Sequence, residues 1–120
     1  MRNLANRTKQ GMDLRKTSEW AETLRVVGHP LRLMILAELL ESPKCVTVIR
    51  DLLGVHQPNV SQHLNVLRHG GLVDYCRDGA FRCYYLPKPA QVRALFRLLE
   101  RDYPTVGPKE LRKKLRRARS

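Results

Sequence analysis

Two apolar stripes at helical spacing, separated by a single glycine, constrain this chain more than any other feature. Within VTVIRDLLGVHQPNVSQHLNVLRH, residues 46–69, Ile49, Leu52 and Leu53 fall at i, i+3, i+4, and Val60, Leu64 and Leu67 fall at i, i+4, i+7. Each set is one apolar face of a short helix. Gly54 between them tolerates the positive φ at which the first helix must end. Pro58 suits the opening turn of the second, where a missing amide donor costs nothing. The outer side of the second helix then carries Gln57, Asn59, Ser61, Gln62, Asn65 and Arg68. Amides, a hydroxyl and an arginine are not the Glu/Lys mixture of a solvated face, and Asn and Gln can pair bidentately with adenine edges. Helix, glycine turn and second helix with that surface make the layout of a helix-turn-helix that reads DNA.

The other segments arrange themselves around that pair. A helix is expected from Thr17, capped by Thr17 or Ser18, with Trp20, Leu24 and Val27 on one face before Gly28 ends it. Pro30 opens a second helix, LRLMILAELLE, apolar nearly all round and therefore central, until Ser42-Pro43 stops it. Lys44-Cys45-Val46 reads as a stub of strand, and Thr47 as the N-cap of the helix holding Ile49. Gly70-Gly71 closes the recognition helix. LVDYCR and AFRCYYL then flank Asp78-Gly79, a strong hairpin signal. With Asp78 and Gly79 as the loop, Cys76 faces Phe81, and Cys83 lies diagonally from Cys76 on the same face. Pro87 and Pro89 introduce a helix striped by Val92, Leu95, Phe96 and Leu99, and PKELRKKLRRARS fits a short basic helix with Leu111 and Leu115 at i, i+4.

Composition narrows the function classes. At 120 residues the chain is one domain, and with 42% hydrophobic but only 6% aromatic residues its core must be mostly Leu and Val. No apolar run approaches the ~20 residues that span a bilayer, and the N-terminus lacks the apolar stretch of a signal peptide. A cytoplasmic protein is the expectation. The net charge of +12 points to a polyanionic partner, but its distribution matters more. Residues 1–16 hold five basic residues against one acidic and residues 107–120 hold seven against one, so the segment between them is nearly neutral. Such ends are either phosphate-gripping arms or solvated termini. No base sits at nucleophile spacing, and there is no glycine-rich phosphate cradle or metal-hydrolase motif, so an enzyme is not expected.

Several motifs together carry a family likeness. His29-Pro30 followed by Leu31-Arg32-Leu33-Met34-Ile35-Leu36, then Leu53-Gly54-Val55-His56-Gln57-Pro58-Asn59-Val60-Ser61-Gln62-His63-Leu64, then Leu67-Arg68-His69-Gly70-Gly71-Leu72-Val73, Arg77-Asp78-Gly79 and Tyr84-Tyr85-Leu86 resemble the ArsR/SmtB winged-helix repressors. The resemblance covers roughly residues 18–103. It implies a mainly α fold with a small β-hairpin wing, a winged helix-turn-helix that dimerises through its first and last helices. On that basis the chain divides into a basic arm (1–16), a DNA-binding and dimerisation domain (17–104) and a basic tail (105–120). It further implies repression at an inverted-repeat operator in double-stranded DNA, relieved by a metal ion, a metalloid or a thiol oxidant. Trp20, Leu24, Leu95, Phe96 and Leu99 would pack across the dimer seam.

The sensor motifs depart from the family. Cys45 coincides with the first cysteine of the C-x-C-x-x-C arsenic motif, but Thr47 and Arg50 stand at the other two positions. No cysteine lies near the N-terminus and no histidine follows His69, so the cadmium/lead and zinc/nickel ligand sets are missing. His56 stands where the family often has serine. The three cysteines Cys45, Cys76 and Cys83 are too few and odd in number for a disulfide framework. They either fill space as small hydrophobes or converge, because winged folds add the Cys45 segment to the hairpin as a third strand. Three converging thiolates would suit As(III) or another soft metal as inducer; no cofactor is otherwise required. Gln57, Asn59 and Gln62 are the expected base readers, Ser61 and Arg68 the phosphate contacts, and Arg77 and Arg82 the wing contacts. His63 either reads a base or braces the helix. The competing expectation is a sequence-neutral architectural protein driven by its basic ends.

Overall fold

The computed structural model describes residues 13–54 and 59–119. Helix α1 (Leu14–Val27) starts three residues before Thr17, because Asp13 Oδ1 accepts from the Arg15 amide at 3.0 Å and caps it. Thr17 therefore lies inside the first turn, its hydroxyl donating back to the Leu14 carbonyl at 2.9 Å. At the other end Arg32 Nε donates to the Val26 carbonyl at 2.6 Å, satisfying one of the carbonyls a helix terminus leaves open.

Helix α2 (Pro30–Glu41) is central as its composition requires, with Ile35 and Leu36 fully buried. Its cap is His29, whose Nδ1 accepts from the Leu31 amide at 3.1 Å. Lys44 Nζ donates to the Glu38 carbonyl at 2.6 Å and joins the end of α2 to strand β1 (Lys44–Cys45). Helix α3 (Val46–Leu53) has Cys45, not Thr47, at its N-cap position: the backbone is still extended at Cys45 and already helical at Val46. Gly54 ends α3 at φ 62°, as the sequence demands.

Helix α4 (Asn59–His69) ends in two nested bonds, Leu72 N to Leu67 O at 3.0 Å and Gly71 N to Arg68 O at 3.0 Å, with Gly71 at φ 77°. This is the Schellman arrangement, and the buried Leu67 and Leu72 supply the apolar contact that goes with it. Strands β2 (Asp74–Asp78) and β3 (Phe81–Tyr85) form the hairpin, and the antiparallel sheet order is β1-β3-β2.

The hairpin register differs from the one expected. Asp78 pairs with Phe81, so the loop residues are Gly79 and Ala80, not Asp78 and Gly79. Gly79 takes φ 61° and Ala80 has no positive φ, so one glycine supplies the only left-handed residue and Asp78 stays extended. An Asp-Gly loop would have needed positive φ at both positions. Every side chain keeps its face, but Cys76 now stands directly opposite Cys83 and not opposite Phe81.

Helix α5 (Pro89–Glu100) returns Val92 to the core, and helix α6 (Pro108–Arg119) follows with every residue exposed. The core joins Ile35 and Leu36 of α2, Ile49 of α3 and Val60, Leu64 and Leu67 of α4 to Tyr84, Leu86 and Val92. Each such Leu, Ile or Val stabilises by roughly 1.5–3 kcal/mol when fully buried. No polar or charged residue is buried among those described, and none of the described helices is long and apolar enough to cross a membrane.

Gly70 carries the closest approach in the fold: a Cβ there would meet Val26 Cγ1 at 2.9 Å. Val26 is buried and stiff at χ1, so it cannot swing aside. Gly70→Ala is expected to lower stability by about 1–3 kcal/mol, as overpacking does, read as a lower urea midpoint at unchanged m-value. An unchanged midpoint would mean that α1 yields freely against α4.

Candidate nucleic-acid interface

Burial divides α4 into two sides. Val60, Leu64 and Leu67 are fully buried, and Gln62 and Asn65 stand at the middle of the opposite side, exposed. Asn59 and Ser61 are exposed on the flanks of that outer surface. Gln57 and His56 lie outside the described residues. The outer surface is thus a row of amides and a hydroxyl, able to donate and accept at base edges, with Arg68 and His69 exposed at its end.

His63 is half-buried, between the apolar side of α4 and its exposed surface. Its ring lies 4.3 Å from that of His29 at 40°, and its Nδ1 is 3.5 Å from an Arg32 guanidinium nitrogen. Since Arg32 can only donate, that nitrogen of His63 must accept, which requires the neutral ring. Burial, then the nearby charges of His29 and Arg32, hold its pKa below the usual histidine value. His63 braces α4 against the junction of α1 and α2. Sequence reading missed its partners, because His29 and Arg32 belong to a distant part of the chain and only tertiary packing joins them to α4.

The wing begins beside the end of α4. Arg68 Nε lies 3.4 Å from Asp74 Oδ1, and its guanidinium sits over the Tyr75 ring at 4.4 Å. Arg82 lies over the same ring at 4.7 Å. Arg77 and Arg82 are direct cross-strand partners near the hairpin tip, both exposed. Like charges facing each other on one sheet face repel, and that cost is relieved when a polyanion lies across both. Tyr75 is a functional neighbour that sequence reading missed. Its alternation with Arg77 was the available signal, since residues two apart share a sheet face.

The pairings Cys45 with Cys83 and Cys76 with Cys83 set the three cysteines in one row across β1, β3 and β2. They share a face but do not converge: with strands roughly 4.8 Å apart, the outer two are separated by twice that spacing. Among the described residues no group of three His, Cys, Asp or Glu side chains is gathered to hold a metal ion. Of the two arrangements the sequence left open, the described residues show the thiols as two adjacent pairs that share Cys83. All three cysteines are free thiols. The Thr47 hydroxyl, then the Val48 amide, hold the Cys45 thiol below its usual pKa. Burial, then the neighbouring Cys76 and Cys45, push the Cys83 thiol up.

Residues 29–75 match the model of a bacterial regulatory protein family, the arsR family. An uncharacterised HTH-type transcriptional regulator of Methanocaldococcus jannaschii is 39% identical over 74 residues, covering 61% of this chain and 83% of that protein. The chain belongs to the ArsR/SmtB family. It is a DNA-binding transcriptional repressor with the winged helix-turn-helix fold, in a family of transcription regulators and not of enzymes. Among solved structures, the transcriptional repressor BigR of Xylella fastidiosa superposes with a TM-score of 0.63 at 34% identity, over 74% of this chain and 94% of BigR. A homodimeric winged helix-turn-helix domain from Mycobacterium bovis, a possible ArsR-family regulator, superposes with a TM-score of 0.64 at 26% identity, over 74% and 87%.

The brace of this repressor's recognition helix titrates with a definite sign. The folded-state pKa of His63 lies below the unfolded value near 6.5, so the unfolded chain binds the proton first as pH falls. The stability tied to neutral His63 is complete above that value and is lost as pH drops through it toward the lowered pKa. Urea midpoints taken from about pH 7.5 to about pH 5.5 should therefore fall more steeply for the wild type than for His63→Gln, the histidine range being near 6.5. Parallel profiles would show that the His63 pairing is not the source.

Proposed function

We propose that the chain works in the cytoplasm as a homodimeric repressor at a short inverted repeat, and that chemistry at its cysteine thiols controls DNA release. The observation that carries the reading is the amide surface of α4, set beside a wing whose Arg77 and Arg82 face one another. Gln62, Asn59 and Gln57 would read base edges. Ser61, Arg68, Arg77 and Arg82 would hold phosphates and the adjacent groove.

Dimerisation has its own support. Trp20 is 42% exposed, Leu24 64% and Leu99 57%, an unusual load for two neighbouring helices. They border an apolar groove between α1 and α5 lined by Leu24, Val27, Leu95 and Leu98. Leu95 and Phe96 are half-buried against the core. The homodimeric Mycobacterium bovis domain supports the same arrangement here, since a second copy would cover this surface.

For the thiols, Cys45 is the reactive member, with its thiolate stabilised at the start of α3. A peroxide would convert it to a sulfenic acid, with water released from the peroxide. The Cys83 thiol would then condense with it, losing the second oxygen as water and forming a disulfide. Directly opposed residues of an antiparallel pair sit about 4.5–5.5 Å apart at Cα, within the span of a disulfide. As(III) or a soft metal ion would instead bridge one adjacent pair. Either event ties the start of the helix-turn-helix, or the outer strand of the wing, to β3. Release follows only if the tied arrangement fits DNA less well.

Gln62→Ala is expected to weaken operator binding by about 1–3 kcal/mol, the worth of a bidentate base contact, while binding to random duplex changes little. Equal losses on both would favour a sequence-neutral binder. Titrating operator complexes with As(III), Cd(II), Zn(II) and diamide should release DNA from the wild type and fail on Cys83→Ser, the thiol common to both pairs. Unaltered release from that variant would remove the cysteines from the mechanism.

A further inference from the structure

Helix α6 lies outside the reading-and-sensing apparatus, and none of its residues is buried. It carries seven basic residues against the single acidic Glu110. Lys109, Arg112, Lys113 and Arg116 recur at i, i+3, i+4, i+7 and make one basic stripe, with Leu111, Leu115 and Ala118 turned the other way. Helix stability accounts for part of this. Arg116, Arg117 and Arg119 in the last turn complement the helix dipole. Lys109 in the first turn works against the dipole, and Arg112 and Lys113 are like-charged neighbours of Lys109 that destabilise the helix. The stripe therefore acts at the expense of the helix that presents it, and a polyanion lying along it would offset the repulsion.

We propose that α6 is a phosphate-gripping arm that binds the DNA backbone flanking the operator, outside the reach of α4 and the wing. This rests on the reading of the chain as an operator-binding repressor. The charge balance supports it: outside the two basic ends the chain is nearly neutral, so the body alone supplies little of the electrostatic attraction that drives DNA association. The tether supports it too. Residues 101–107 form no helix or strand, and seven residues span at most roughly 25 Å when extended, enough to carry the arm past the edge of the core site. The other surface a basic helix could meet is an anionic membrane. The apolar side of α6 offers two leucines and an alanine with no aromatic residue, a poor match for interfacial helices that bury Trp, Phe and Leu.

The test compares the wild type with a variant carrying Lys109→Gln, Arg112→Gln, Lys113→Gln and Arg116→Gln, and with a charge-conserving control in which each Lys becomes Arg and each Arg becomes Lys. Operator affinity is measured against salt concentration on two duplexes, the core site alone and the core extended by about one turn of DNA, ~10 bp, on each side. On the extended duplex the Gln variant should show a log–log salt slope shallower by about 0.9 for each phosphate that the arm no longer neutralises, with its preference for operator over random sequence kept. Wild type and control should bind the extended duplex at least about tenfold more tightly than the core, the free-energy equivalent being set by the usual tenfold relation, while the Gln variant should not distinguish them. Equal slopes and equal length dependence for wild type and Gln variant would overturn the arm. So would a Gln variant that binds DNA undiminished but no longer shares the wild type's binding to vesicles of phosphatidylserine and phosphatidylcholine. Failure of the wild type to prefer its operator at all would instead sink the repressor reading on which the arm rests.

Discussion

Arg32 donates to the last carbonyls of α1 and reaches toward the ring of His63 on α4. One guanidinium thus fixes three helices with respect to one another. It works only because His29, one turn earlier, caps α2 through a neutral Nδ1 and lies against His63. The groups that contact His63 in this knot, the His29 ring and the Arg32 guanidinium, offer it no negative charge. The reading surface of α4 therefore rests on the core through Val60, Leu64 and Leu67, and on a polar hinge that tolerates one protonation state.

A second connection runs through a strand of only two residues. β1 contributes Lys44 and Cys45, yet it joins three functions: Lys44 closes the end of α2, Cys45 precedes α3, and both pair with β3. The far edge of the same sheet is the wing, whose Tyr75 ring holds guanidiniums from α4 and β3 together. The sheet is thus a rigid plate with the thiols on one face and the arginines on the other. Under the proposed control, a bond drawn across the thiol face would alter the twist between neighbouring strands and with it the angle of the arginine face, without any ligand entering the DNA interface.

Long-period patterns were legible in the sequence. The apolar faces of α2 and α4, the glycine stops at Gly54 and Gly71 and the existence of the hairpin follow from residue spacing and from the backbone freedom of glycine, whereas Leu52 of the α3 stripe and Leu99 of the α5 stripe are exposed. What spacing cannot decide is competition between neighbouring residues for one job. Asp13 and Thr17 both suit a cap, and the aspartate wins because it stands one residue before the first turn. Asp78-Gly79 and Gly79-Ala80 both suit a two-residue loop, and the second needs only one positive φ. The His29–Arg32–His63 knot and the Tyr75 platform were not legible, since each joins residues whose proximity exists only after the core has closed. The thiol row was half legible. Its members were found, but whether they lay apart or side by side depended on the strand register, which the sequence left open.

Reading and holding are separated in this chain. The surface proposed to read bases is rich in amides, while the basic charge is concentrated at the ends of the sequence. Phosphate attraction carries no sequence information. In the proposed scheme the amides on α4 would set the discrimination between sites, and the charge on α6 would let affinity be adjusted without touching it. The consequence for control is equally direct. Under the proposed control, a thiol event at β1 or the wing would disturb the α4 amides and the wing arginines together and leave only the α6 contacts in place, so the released protein would remain loosely associated with DNA.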